Sequence, residues 1–428
     1  FSPMKKSILA VTLSLAALVT LLITRTFLSI SPQQAPAAIN KIQLDTPSIA
    51  HRLSEAIKIP TLSQHEGKSV DLNSFHELHA LLHKNYPRVF ATLTQEIIND
   101  ATLVLHWEGK EPSLKPALFL AHQDVVPADE ATIQKWEEPP FSGTIKDGFI
   151  WGRGTLDFKF GVTGWLEAVE KLLEENFSPK RSVYFAFGHD EEIGGHRGAK
   201  SVAHNFAARG LEFELVLDEG LPITRGIMPG LKAPVALIGI AEKGYVTLEL
   251  TVNGEGGHSS MPPPHTAVGI LAQAITRLEK RPMPARISGP TAMLFESVRP
   301  YFPFSQRLIF SNLWLFNNLV LHRLTGASGT NALVRSTLAT TMIQGSPKEN
   351  ILPTQAKARV NSRILPGDTL ETIEEHTRAS IDMPQVEVRS LRQWSQNPSP
   401  ISCVQCETYR TIRATIKQVF PEVLVAPS

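Results

Sequence analysis

Cysteine is nearly absent: the 428 residues hold two, Cys403 and Cys406. That excludes a disulfide framework as the basis of the fold. A single CxxC with no second pair and no preceding strand makes neither a four-cysteine metal site nor a thioredoxin-like motif. Both cysteines lie in Cys403–Val419, which reads as a helix, and are expected to face its core. An excess of one charge is lacking too. Lys and Arg number 42 against 41 Asp and Glu, for a net charge of +1. No basic surplus therefore points to nucleic acid. The GxxxxGK[ST] pattern of phosphate-cradling loops is missing. What remains is ordinary globular composition, 42% hydrophobic and 19% charged, in a chain long enough for more than one domain.

Residues 4–31 read as an export segment. Met4 reads as the native start, and Lys5 and Lys6 form a basic flank. Ile8–Ile23 is uncharged and mostly apolar, and Arg25 separates it from a second apolar stretch. Its length lies between a secretory signal and a spanning helix. An uncleaved signal anchor is the favoured reading, with a cleaved signal peptide as the alternative. The protein is then exported, either membrane-anchored and facing the periplasm or exterior, or secreted. Residues 32–44 read as a linker.

From there apolar strands alternate with helices. Ala101–Trp107, Pro116–Ala121, Ser182–Phe187 and Phe213–Leu217 are runs typical of buried strands, and helical segments separate them. The pattern predicts an α/β domain with a mainly parallel sheet and helices on both faces. Ligands bind such sheets at the carboxyl ends of strands. His122, Asp124, Glu191, Glu192 and Asp218 all fall there, and Asp157 falls at the entry to the helix from Gly161 to Glu175. Asp190, Glu191 and Glu192 are consecutive acids at the end of a buried strand, a mutual repulsion that a divalent cation would relieve. Imidazole suits zinc, and a carboxylate on its second nitrogen, two residues away, would fix the tautomer. Taken singly each residue has a plainer role: a loop histidine for His122, a helix cap for Asp157.

Four segments, HQDVVP (122–127), GRGTLDFK (152–159), GHDEEIGG (188–195) and VLDEG (216–220), resemble in order and spacing the metal-site motifs of the two-zinc exopeptidases and amidohydrolases. That family includes aminoacylase, carboxypeptidase S and acetylornithine deacetylase. The branch most resembled is that of carboxypeptidase S and the N-fatty-acyl amino acid hydrolases. The resemblance implies two Zn2+ per subunit. Asp157 would bridge them, His122 and Asp218 would complete one site, and Glu192 would bind the other. Asp124 would orient His122, and Glu191 would be the general base. A cis peptide is implied after the bridging aspartate, at Asp157-Phe158.

The alternating segments Tyr245–Val252 and Ala356–Ile364 mark a second, α+β domain. It is expected over 240–382, inserted into a catalytic domain formed by 45–239 and 383–428. By resemblance it is a lid that also joins two subunits as a homodimer. His258 would stabilise an oxyanion, Arg363 would grip a substrate carboxylate, and Asn331 would contact substrate. The apolar stretch Leu308–Leu324 is interrupted by asparagines and is expected to cover the lid or line a pocket for a hydrophobic acyl tail. The implied substrates are N-acyl amino acids or short peptides with a free carboxylate. A deacylase of a polar intermediate such as acetylornithine is one alternative, and a non-catalytic binding module on the same fold is another.

The resemblance also implies a further histidine ligand near the carboxyl end, and no histidine follows His376. The expectation is a truncated chain whose Glu192 zinc site is incomplete.

Overall fold

The apolar amino-terminal stretch forms one helix, α1 (Pro3–Leu28). The structure is a computed structural model and describes residues 3–28, 33, 39, 42–63, 70–226, 228–391 and 395–428. Most of the expected linker over 32–44 lies outside them. The chain divides into two compact units, one of Asn40–Glu219, the other of Phe1–Ile39 with Gly220–Ser428.

In the Asn40–Glu219 unit, helices α2 (Thr46–Ile57), α3 (Leu72–Asn85) and α4 (Pro87–Thr92) precede strands β1 (Thr94–Ile98), β2 (Thr102–Trp107) and β3 (Ala117–His122). A short hairpin follows, β4 (Thr144–Lys146) with β5 (Phe149–Trp151). Next come helix α5 (Lys159–Glu174), strand β6 (Val183–Gly188), helix α6 (Ala199–Ala208) and strand β7 (Leu215–Leu217). The main sheet has the order β1-β2-β6-β3-β7. Strand β3 pairs in parallel with β6 and with β7, while β1 and β2 form an antiparallel edge.

Period-two alternation explains why both sheet faces are dry. Leu103, Leu105, Phe185 and Phe187 pack with Leu78, Leu82, Val162 and Leu166 on one side. Val104, Tyr184 and Ala186 pack with Val202 and Phe206 on the other. Burying both faces forces polar groups to the strand ends. The α/β class expected from the sequence is the class observed.

The second unit holds β8 (Ile223–Thr224), β9 (Val235–Ile238), β10 (Gly244–Asn253) and β11 (Gly257–His258), followed by helices α7 (Ala267–Lys280), α8 (Gly289–Val298), α9 (Phe304–Ser311), α10 (Leu313–Leu324) and α11 (Ser328–Val334). Strands β12 (Thr337–Gln344), β13 (Ile351–Leu352) and β14 (Gln355–Ile364) lead to α12 (Leu370–Ile381), β15 (Val386–Ser390), α13 (Glu407–Val419) and β16 (Leu424–Pro427). Its antiparallel sheet has the order β12-β14-β10-β15. Val246, Leu248, Leu250 and Val252 face Leu271, Ala274 and Ile373 of the covering helices.

Three expectations change. Strand β15 pairs with β10, so the inserted sheet runs past residue 382 to Ser390. Strand β16 pairs with β9, and both lie in the same unit as that sheet, rather than with the five-stranded one. The cysteines do not face a helix core: α13 begins at Glu407, Cys403 is exposed, and Cys406 donates its thiol to the Cys403 carbonyl at 2.8 Å. That thiol is spent on its own turn ahead of the helix.

Candidate active site

Strand β3 ends in His122, and the next two residues are fully buried. Gln123 fixes the strand end from below. Its amide nitrogen donates to the carbonyls of Ala101 and Phe187 at 3.0 and 2.7 Å, which leaves its oxygen to accept from His79 Nε2 at 2.7 Å. One buried side chain thus ties β3, β6 and α3 together behind the site.

Asp124 turns the other way. Its two carboxylate oxygens accept the backbone N–H groups of Glu191 and Glu192, each at 3.1 Å. These residues begin a short 3-10 turn after β6, Glu191–Ile193, which ends at Gly194 with φ of 101°. The loop is also held at its far side. Asp190 accepts N–H groups from Arg197 and Gly198 at 2.7 and 2.8 Å. Gly198 is required there, since a Cβ would fall 2.4 Å from the Asp190 carboxylate. His189 is buried and bonds Thr102 through Nδ1 at 2.6 Å. The acidic cluster is therefore divided: Asp190 braces the loop, and Glu191 and Glu192 remain with half-exposed carboxylates.

The His122 ring is set by its Nδ1, which donates to the Asp124 carbonyl at 2.9 Å and lies 3.5 Å from that residue's carboxylate. Its Nε2 faces acids: Asp157 at 2.9 Å, Glu219 at 3.5 Å and Glu191 at 4.0 Å. Asp157 is no helix cap. Phe158 is the capping residue of α5, and the Asp157 side chain is largely exposed. The peptide joining Asp157 to Phe158 is cis.

Burial alone would lower the His122 pKa, but its bonds to Asp124 and Glu219, with the charges of Asp124 and Glu191, push it up to about 11. Burial pushes the Glu191 carboxyl up to about 7. Glu219, Asp124 and Glu192 add to the rise, and His122 opposes it. Glu192 is raised as well, by burial first and then by Asp157.

One imidazole nitrogen among three carboxylates is the electrostatics of a cation site. The donor set fits: His122, Asp157 and Glu219 each offer a ligand atom within 4.8 Å of the other two. Nitrogen with carboxylate oxygen suits a divalent transition ion. Glu219 was not singled out in the sequence, where Asp218 is the expected ligand. In the structure Asp218 Oδ1 accepts the N–H of Glu219 at 2.8 Å, and the Glu219 carboxylate stands at His122. The adjacency of two acids after β7 was the available signal.

His258, Arg363 and Asn331 belong to the other unit. His258 is exposed on β11 and bonds its own turn, Nδ1 to Ser260 Oγ at 2.8 Å. Arg363 lies on β14 with its guanidinium 4.9 Å from the Tyr245 ring. Lys243, unremarked in the sequence, has its pKa lowered by burial and by the charge of Arg363, and it donates to the Ala332 carbonyl beside Asn331.

The family model for peptidase family M20/M25/M40 matches residues 118–425. The chain belongs to that family. Among curated relatives of this M20 chain is the probable carboxypeptidase S-like 2 of Dictyostelium discoideum, 40% identical over 384 residues, which cover 89% of this chain and 73% of that one. Another is the N-fatty-acyl-amino acid synthase/hydrolase PM20D1.1 of Danio rerio, 40% identical over 377 residues, 87% of this chain and 72% of that one. Among solved structures, the M20 metallo-carboxypeptidase Sso-CP2 of Sulfolobus solfataricus aligns with a TM-score of 0.61 at 20% identity, covering 89% of this chain and 85% of its own. The M20 chain is thus a metallohydrolase, and its metal ligands are to be sought where the four motifs converge.

Proposed function

We propose that this protein hydrolyses the amide bond of N-acyl amino acids, long-chain acyl groups included, and of short peptides with a free carboxylate. The observation that carries this reading is the placement of Glu191. Its backbone is clamped by Asp124, and its carboxylate lies 4.0 Å from His122 Nε2, within reach of a water held at that site.

His122, Asp157 and Glu219, with Glu192 and Asp218 as the further ligands expected from the sequence, would hold a zinc pair. When bound, such a pair polarises the scissile carbonyl and lowers the pKa of an attacking water. Glu191 takes the proton of that water and passes it to the leaving amine, while Asp124 keeps His122 and both glutamates in register. Arg363 and Lys243, two cations in one neighbourhood, suit the substrate carboxylate. His258 is the proposed oxyanion donor, and Asn331 a proposed substrate contact.

The exposed apolar helix α1 would anchor the protein facing the exterior. Edge strand β12, with Met342 and Ile343 exposed, would pair two lids into a homodimer. The names of the relatives, carboxypeptidase S-like and N-fatty-acyl-amino acid synthase/hydrolase, agree with this substrate class. A panel of N-acetyl, N-oleoyl and dipeptide substrates given to the zinc-loaded protein tests it. Turnover of N-oleoyl amino acids above N-acetyl ones is expected; the reverse order removes the long acyl chain from the proposal.

A further inference from the structure

Helix α1 is tied to the rest of its unit at one end. Asn312, fully buried between α9 and α10, donates its amide to the Leu22 carbonyl at 3.1 Å and to the Leu308 carbonyl at 2.8 Å. Thr26 is buried beside it, its hydroxyl 3.4 Å from the same amide. Phe27 meets Phe304 with ring centroids 6.0 Å apart, and the Arg307 guanidinium lies 5.8 Å from each ring. A polar side chain buried between apolar helices fixes which surfaces meet.

Toward its amino end the described large apolar side chains of α1 are exposed. Met4, Ile8, Leu9, Val11, Leu13 and Leu15 are 59–69% exposed. The stretch Ser7–Leu28 is 22 residues, roughly 33 Å of helix, the thickness of a bilayer core. The joint involves Leu22 to Phe27, so it lies within about 10 Å of the carboxyl end of that stretch. If α1 enters a membrane, α9 and the start of α10 are held at the membrane's surface layer.

The composition of α10 fits that depth. Its exposed face is Trp314, Leu315, Asn318, Leu319, His322 and Arg323, apolar in the first turns and basic in the last. Trp314, Leu315 and Leu319 are 56%, 45% and 50% exposed, and Phe304 of α9 is 46% exposed. Aromatic and basic groups concentrate at the headgroup boundary, where amphipathic helices lie with one face sunk about 5–10 Å.

We infer that the exposed face of α10, with Phe304 of α9, rests in the headgroup–acyl boundary of the bilayer that takes α1. This rests on the anchor reading given above and adds a second, peripheral attachment to it. The unit then has a fixed orientation on the membrane, because two attachments joined at Asn312 remove the swivel that a lone anchor leaves.

The test uses the full chain with Cys403→Ser and Cys406→Ser, reconstituted in phosphatidylcholine nanodiscs. A fluorescent thiol label is placed singly at Leu13→Cys, Leu319→Cys or Lys110→Cys, the last on a surface loop of the other unit. Lipids spin-labelled near the headgroup end of the acyl chain are the quenchers. Strong quenching at 13 and at 319, several-fold above that at 110, is expected. Quenching at 13 with position 319 no different from 110 overturns the inference and leaves the anchor. Quenching at neither overturns both. A blue-shifted but unquenched label at 319 means that protein, such as a second copy, covers the face, and it also overturns the inference. As a label-free check, Trp314→Phe should lower the lipid-quenchable fraction of the tryptophan emission; an unchanged fraction counts against the inference.

Discussion

Asp124 accepts the backbone N–H groups of Glu191 and Glu192 with its two carboxylate oxygens, at 3.1 Å each. A residue two positions after His122 thereby sets the geometry of the loop that faces that histidine. Asp124→Asn replaces one acceptor by an NH2 donor aimed at an N–H group. A loss of about 1–3 kcal/mol in unfolding free energy is expected, from a buried group left without its partner. Activity should fall further than metal content. Denaturant unfolding and metal analysis on the same samples check both.

Glu191→Gln keeps the shape and removes the base. A fall in kcat of about 10²–10⁴ is expected, with KM for an N-acyl amino acid little changed. Steady-state kinetics on the zinc-loaded protein decide it; unimpaired turnover would remove Glu191 from the role.

Glu219 and Asp218 compete for one task. Glu219→Gln should weaken metal binding by at least about tenfold, and Asp218→Asn by less, because the Asp218 carboxylate accepts the next residue's N–H. Competition with a chelator of known affinity measures both. A larger effect at Asp218 would restore the ligand expected from the sequence.

His79 carries a pH signature. Burial lowers its pKa below the usual histidine value, and its Nε2 donates to Gln123 in the neutral form. Above the unfolded-state value of about 6.5 both states are neutral and the contribution to stability is complete. As pH falls through that value the unfolded chain takes up the proton first, so stability is lost. Between pH 7.5 and pH 5 the urea midpoint of the native protein should drop more than that of His79→Gln. Parallel pH profiles would show that His79 titrates alike in both states.

Gly198→Ala forces a Cβ to 2.4 Å from the Asp190 carboxylate. The Arg197 and Gly198 N–H bonds to Asp190 should break, with a loss of about 1–3 kcal/mol and a reduced kcat as the glutamate loop loosens. Thermal unfolding and kinetics on the variant check it.

The strand ends at His122 and Gly188 were legible in the sequence because strands buried on both faces are unbroken apolar runs, and such runs stop where polar chemistry begins. Local logic alone left a helix cap as the plainer role of Asp157, since its partner His122 is 35 residues away in sequence. The resemblance named Asp218 as the ligand and passed over Glu219, whose carboxylate stands 3.5 Å from His122 Nε2. Strand β7 ends at Leu217, and past a strand's end alternation no longer dictates where side chains point. Strand β15 was placed on the wrong side of a boundary because pairing with β10 is a contact across more than a hundred residues.

Sequence alone determined the α/β class, the family, the apolar amino-terminal helix and the four motifs whose residues meet around His122. Each of these is written in local composition and in motif spacing. Tertiary structure alone decided that Asp124 clamps the glutamate loop, that Gln123 braces the site from behind, that Glu219 stands at His122, and that Asn312 locks α1 to α9. These are directional contacts between distant segments, and hydrogen-bond geometry is settled only when the segments meet.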